Sequence, residues 1–224
     1  MHNDAIPGVE FIDNANQRTP CVLVLDASGS MAGEPLKQLN LGLKVFEEQL
    51  KSDLSAALKV QVLVLAVGGH DDVEVIQPWV DAVDFKAPTI EAGGLTPLGA
   101  GMTTALNEVQ QQKLVYDENG ISSTRPWIIV LSDGCPTDLD WEQSADACRK
   151  AEEDKKVVIF PIGTEGADFA ALGQFSNKSA KKLKGLNFTE LFVWLSRSMA
   201  TVSASVPGQK VRLPSADEWA EVEI

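Results

Sequence analysis

The sequence predicts an α/β domain with a doubly wound, mainly parallel central sheet, one antiparallel edge strand, and helices on both faces. Three observations lead there. Cys21 to Leu25 is a continuous apolar run, the pattern of a strand buried on both sides. Further apolar runs at 58–67, 127–131 and 157–162 alternate with segments of helical periodicity, and that alternation calls for crossover connections between parallel strands. Runs 58–67 and 73–80 are separated only by Gly68 to Asp72, a turn-sized gap that predicts a hairpin and thus the antiparallel edge.

Taken in order, residues 1–19 read as an arm in which Val9, Phe11 and Ile12 are expected to cover part of the sheet. The first strand ends in Asp26-Ala27-Ser28-Gly29-Ser30. Glu34-Pro35 opens a helix, with proline early, where its missing N–H costs nothing. Leu36, Leu39, Leu43, Phe46 and Leu50 make its apolar stripe. After the hairpin, a short extended piece around 83–85 leads to Gly93-Gly94. Pro97 starts a second long helix with Leu98, Met102, Ala105, Leu106 and Val109 on one face, and 117–120 is a polar loop. The strand Trp127 to Leu131 runs toward Asp133. A helix over 138–153 follows, with Asp138 or Asp140 near its cap. Then come a strand at 157–162, a short helix at 168–175 and a short last strand at 181–183. Thr189 opens the last helix, with Phe192, Leu195, Met199 and Val202 inward. Residues 206–224 form a tail containing Pro207, Gly208 and Pro214, with Trp219 as its anchor, which leaves 20–205 as the folded domain. There is no internal repeat and no low-complexity segment.

The composition narrows the function classes. The chain has 224 residues, 44% hydrophobic, enough for one sizeable core. Its net charge of −13 argues against a basic face for nucleic acid. Three cysteines give no disulfide framework and fit a reducing, cytoplasmic setting. The first twenty residues lack the basic and apolar regions of a secretory signal, and runs such as 60–67 are far too short to span a bilayer, so no membrane association is expected. Lys178, Lys181, Lys182 and Lys184 read as a solvated loop or strand edge rather than a docking patch.

The chemistry lies in the strand ends. Asp26, Ser28 and Ser30 put three hard oxygen side chains at alternate positions, with Gly29 permitting a tight turn. They fall at the carboxyl edge of the sheet, where open α/β folds bind ligands. Thr96 sits in a Gly93-Gly94-Leu95-Thr96-Pro97 loop before a helix, and Asp133-Gly134 follows a hydrophobic strand. Catalysis has little support. There is no P-loop and no G-x-S-x-G elbow, and Ser28 stands where an aspartyl phosphatase would carry a second acid. Cys135 would need a base, and neither His2 nor His70 is placed to serve it, so it reads as an ordinary loop thiol. His70 reads as a solvated turn residue, Cys21 and Cys148 as core or helix-face residues, and Asp138 as a helix cap or a support to the site. The expectation is a protein that is not an enzyme and has no catalytic residues.

Asp-x-Ser-x-Ser, the isolated Thr and the Asp-Gly pair, in this order, resemble the metal-ion-dependent adhesion site of von Willebrand factor A (VWA) domains. The resemblance implies that Asp26, Ser28, Ser30, Thr96 and Asp133 hold a divalent metal, Mg2+ with Mn2+ or Ca2+ as alternatives. Mg2+ takes about six hard oxygens at about 2.0–2.1 Å. Neutral hydroxyls leave such an ion short of negative charge, and the family implies that a partner Glu or Asp completes its coordination. The segments LDASGSMAGEPLKQLNLGLKVF, GGLTPLGAGM, SDGCPTDLDW and FVWLSRSMATVS are similar to the TerY type of bacterial A domain, associated with tellurite resistance. That likeness covers roughly residues 20–205 and implies a cytoplasmic protein-interaction module in a stress-related kinase–phosphatase system, with kinase-like or phosphatase-like partners. The alternatives are an Mg2+-dependent hydrolase and a scaffold whose metal is purely structural.

Overall fold

Strand β1 (Thr19–Ala27) sits at the centre of the sheet, and all nine of its residues are buried. The computed structural model describes residues 16–70, 72–205 and 210–221. Val9, Phe11 and Ile12 of the expected arm, His2, and Pro207 and Gly208 of the tail lie outside the described residues. β1 pairs in parallel with β2 (Val60–Gly68) on one side and with β4 (Trp127–Ser132) on the other. β2 pairs antiparallel with the edge strand β3 (Val73–Asp81). β4 pairs in parallel with β5 (Val158–Gly163), and β5 with the short β6 (Lys181–Lys182). The order is β3-β2-β1-β4-β5-β6, the mainly parallel sheet with one antiparallel edge that the apolar runs predict.

Side chains of a strand alternate between faces, so each central strand serves two cores. Cys21, Leu23 and Leu25 of β1 face helices α1 (Glu34–Ser52), α2 (Leu54–Lys59) and α6 (Phe188–Ser203). Val22 and Val24 face α3 (Leu98–Glu118), α4 (Trp141–Glu153) and α5 (Phe169–Gly173). The whole α1 stripe from Leu36 to Leu50 is buried, and Phe46 meets Phe192 of α6 at 5.5 Å between rings. Gly42 permits this closeness, since a Cβ there would stand 2.6 Å from the Phe192 ring.

Several boundaries differ from expectation. The segment 83–85 is not extended: the amides of Asp84 and Phe85 both donate to the Asp81 carbonyl and form a turn that buries Phe85. α2 has no counterpart in the apolar pattern. It forms because the Asp53 carboxylate accepts from the Ala56 amide at 2.8 Å, a cap supplied by a polar residue. α3 continues through Glu118, so the loop begins at Asn119-Gly120, where Gly120 takes φ 66°. α4 starts at Trp141, three residues after Asp138.

The tail closes the open edge. Trp219 is fully buried beside Trp194, with ring centroids 5.1 Å apart. The Lys184 amide donates to the Trp219 carbonyl at 2.8 Å and the Glu221 amide to the Lys182 carbonyl at 2.9 Å, which covers the short strand β6. The late lysines are dispersed among separate partners: Lys178 pairs with Glu152, Lys182 with Glu221, and Lys184 donates to the Asp217 carbonyl.

Trp219→Ala should lower the unfolding free energy by about 3–5 kcal/mol, the cost of deleting a large buried aromatic. Urea denaturation checks it, and a loss below about 0.5 kcal/mol, the range of ordinary surface substitutions, would show that the tail does not contribute to the core.

Candidate metal centre

The carboxyl ends of β1 and β4 lie side by side because the two strands pair directly. β1 is joined to β2 on one side and borders β4 on the other, so the crevice between them is the point where the strand order reverses. Asp26 is the penultimate residue of β1 and is fully buried. Its carboxylate accepts from the Ser28 amide at 2.9 Å and from the Ser132 hydroxyl, at the end of β4, at 2.6 Å. Asp26 thus fixes the turn after its own strand and clasps the neighbouring one.

From Ser28 a chain of hydroxyls leads to the second acid. Ser28 and Ser30 share a hydrogen bond at 3.0 Å, and the Ser30 hydroxyl donates to Asp133 at 2.8 Å. A short 3-10 turn, Gly29–Met31, carries Ser30. The Thr96 loop joins by backbone contacts. The Gly29 amide donates to the Gly94 carbonyl at 3.2 Å and the Gly93 amide to the Ala27 carbonyl at 2.8 Å. Thr96 is buried, and its hydroxyl oxygen stands 3.9 Å from the position a Cβ on Gly134 would take. The three loops meet, bringing all five residues singled out in the sequence to one sheet edge. Gly68 belongs to this packing. Its φ is 93°, and a Cβ there would lie 2.6 Å from the Leu95 carbonyl and 2.9 Å from the Ser28 amide.

Asp138 caps a helix, but not the one that follows it. Its carboxylate accepts from the amides of Gly99 at 3.2 Å and Ala100 at 2.9 Å, in the first turn of α3. Thr137 backs it up: its hydroxyl accepts from the Thr96 amide at 3.1 Å, and its own amide donates to the Thr96 carbonyl at 2.9 Å. Residues after Asp133 therefore clamp the Thr96 loop. Residue spacing placed Asp138 near the cap of the helix that follows it; the cap falls instead on α3, because its amide partner Gly99 lies 39 positions away. Ser132 is also joined at long range, by a bond to Asp26 that spans 106 positions.

The electrostatics suit a cation. Burial pushes the Asp133 carboxyl above its ordinary range, the Ser30 hydrogen bond opposes that shift, and the nearby Asp26 charge adds to it. Among the described residues neither acid has a salt bridge, and no three His, Cys, Asp or Glu side chains cluster as a metal-binding group. The donors here are two carboxylates and three hydroxyls, all hard oxygen, and such a set fits Mg2+, Mn2+ or Ca2+ rather than a thiophilic metal. Cys135 is exposed and donates to the Asp168 carboxylate at 3.1 Å, a bond that raises its pKa and keeps the thiol protonated. His70 is exposed and meets Glu91 at 3.1 Å.

This is an open, doubly wound α/β domain with an oxygen-only cluster at its switch point. The chain belongs to the von Willebrand factor type A domain family, whose match spans residues 21–191. The fold is shared with solved structures of low sequence identity. An open conformation of the pilus adhesin SpaC from Lactobacillus rhamnosus GG is similar at a TM-score of 0.65 and 14% identity, over 83% of this chain and 30% of that one. A von Willebrand factor type A protein from Catenulispora acidiphila gives 0.57 and 17%, over 83% and 43%. Proximal thread matrix protein 1 from the mussel byssus gives 0.55 and 16%, over 85% and 47%. The chain thus spans less than half the length of each. No curated protein matches the sequence significantly.

Two outcomes test this geometry. Because the folded-state pKa of Asp133 is raised, the folded protein loses stability as pH rises through the window from the ordinary carboxylate value, about 4, to the raised one. In EDTA, Asp133→Asn should therefore melt above the parent at pH 7, with the gap closing as pH falls toward 4. Equal melting temperatures across that range would refute the burial penalty. Asp138→Ala should cost about 1 kcal/mol through the lost cap on α3, measured by chemical denaturation.

Proposed function

We propose that this chain is a protein-interaction module that recognises acidic residues of a partner protein through a divalent metal, Mg2+ in the first instance, with Mn2+ or Ca2+ as alternatives. The observation that carries the reading is the convergence of Asp26, Ser28, Ser30, Thr96 and Asp133 at one sheet edge. Ser28, Ser30 and Thr96 would offer neutral hydroxyls to the ion, and Asp26 and Asp133 its negative charge, directly or through water. When bound, the ion would supply positive charge that these residues only partly neutralise, and so attract a Glu or Asp carboxylate. Asp26 and Ser132 hold the floor rigid, and the Thr137–Asp138 clamp sets the height of Thr96. Two leucines flank the site in the ligand-bearing loops, Leu95 at 68% exposure and Leu139 at 95%. Apolar side chains displayed beside a metal suit a protein contact better than hydrolysis, which would need a positioned base that no described residue of these loops supplies.

The finer reading rests on motif resemblance. The SGSM-x-GEP, LGAG and DG-x-PTD runs support a TerY-type domain of a tellurite-resistance or stress-related phosphorylation system, with kinase-like or phosphatase-like partners and no enzymatic activity of its own. A cytoplasmic setting agrees with the three unpaired cysteines. Among the described residues no helix is long and apolar enough to cross a membrane.

Calorimetric titration of the metal-free protein should show one Mg2+ or Mn2+ bound per chain, weakened at least about tenfold in Asp133→Ala, as befits loss of an anionic ligand. Ser28→Ala combined with Ser30→Ala should keep the native circular dichroism and lose Mg2+-dependent capture of a carboxylate-bearing partner. No bound ion at millimolar metal would end the proposal. An unfolded double variant would make the metal structural, and hydrolysis of a phosphoester that disappears in Asp26→Ala would favour the hydrolase.

A further inference from the structure

At the opposite end of the sheet a second surface has a different chemistry. A groove with a cavity volume of about 860 Å3 opens where β4 and β5 begin, beside the end of α6 and the returning tail. Trp127 and Phe160, with rings 4.6 Å apart, form its apolar wall. Arg125, Lys155, Lys178 and Lys210 line it, and no Asp or Glu among the described residues does. In a chain of net charge −13, four cations without a lining acid are a local inversion of sign. Lys178 is neutralised, bonded to the nearly buried Glu152 at 2.6 Å and set over the Phe160 ring at 5.5 Å. Arg125, Lys155 and Lys210 are exposed and have no ion pair among the described residues.

We infer that this groove is a second docking site, which takes an acidic peptide segment carrying a large apolar side chain. The apolar side chain would lie against Trp127 and Phe160, where burial supplies affinity, and flanking carboxylates would meet Arg125, Lys155 and Lys210, which supply orientation and specificity. Nucleic acid fits less well. A phosphate backbone needs an extended basic track, and here three free cations surround an aromatic-walled groove on an acidic protein. The groove is independent of the proposed metal site, because Trp127 starts β4 and Ser132 ends it, roughly 16 Å away at strand rise. One domain could then hold two acidic partners at once, one through a metal and one through guanidinium and ammonium groups.

The test uses the full chain in EDTA, so the metal site cannot contribute, and a fluorescein-labelled nine-residue peptide of Glu and Asp with one central Phe, read by anisotropy. We expect binding that weakens severalfold when NaCl rises from about 50 to 500 mM, as contacts between exposed charges do. Arg125→Glu with Lys210→Glu should weaken it by at least about tenfold, and the milder Arg125→Gln with Lys210→Gln should fall between. A peptide with Ser in place of Phe should bind correspondingly less. Both positions are exposed, so unchanged melting curves will show that the variants fold. No binding, binding that requires Mg2+, or binding indifferent to charge reversal would overturn the inference. Tighter binding of a single-stranded oligonucleotide of equal charge would overturn it in favour of nucleic acid. Dimerisation of the parent that charge reversal abolishes would overturn it in favour of a second copy of the chain.

Discussion

The direct pairing of β1 with β4 is the constraint on which the rest of the molecule depends. These strands are far apart in sequence and have no short connection, yet their parallel register sets Leu25 opposite Leu131 and brings the loops after them together. Asp26 completes the junction, bonding its own turn through the Ser28 amide and the neighbouring strand through Ser132. A fully buried carboxylate is costly unless its oxygens are satisfied, and here hydrogen bonds from the turn after its own strand and from the end of β4 do so. From that turn the Ser28 hydroxyl bonds Ser30, and Ser30 bonds Asp133. Structural support and site geometry are therefore one arrangement.

That arrangement shows why the loops around the site can be rich in hydroxyls and glycine without becoming loose. The glycines at 68, 93 and 94 let backbones approach closely enough for the amides of Gly29, Gly69 and Gly93 to find carbonyls on neighbouring loops. Thr137 and Asp138 then tie the loop after Asp133 to the start of α3. The oxygen side chains are held by backbone hydrogen bonds, which a bound ion would leave intact. Side-chain bonds among Ser28, Ser30 and Asp133 are the ones that metal coordination would replace.

The other end of the sheet has its own polar structure. Arg18 is fully buried and pairs with Asp81 at 3.0 Å, and Gln61 donates to the same carboxylate at 2.6 Å. Tyr116 donates to Gln61, and burial pushes its phenol well above the ordinary range. This network joins the residue before β1 to β2, β3 and α3 at the end of the sheet remote from the site. Nothing in the order of the residues marks it, because Arg18 reads as part of the arm and Gln61 interrupts an apolar run. Its members are recognisable only once a buried charge is seen to need a partner.

The sequence by itself determined the strands, the long helices and the five oxygen-bearing residues at the sheet edge. Apolar periodicity is a local consequence of burial, and Asp26, Ser28, Ser30, Thr96 and Asp133 each sit at the junction of such a run with a turn. It misplaced elements whose cause is a single polar contact: α2, begun by the Asp53 cap, and the turn at 83–85, closed on the Asp81 carbonyl. Tertiary structure alone decided that Asp138 caps α3 rather than its own helix, that Ser132 bonds Asp26, and that the tail, anchored by Trp219 as expected, covers β6. It also decided that Arg125, Lys155 and Lys210, scattered along the chain, share one groove. The physical reason is the same in each case. Periodicity records whether a residue is buried, whereas a hydrogen bond or a shared surface depends on which distant residue the folded chain brings within reach.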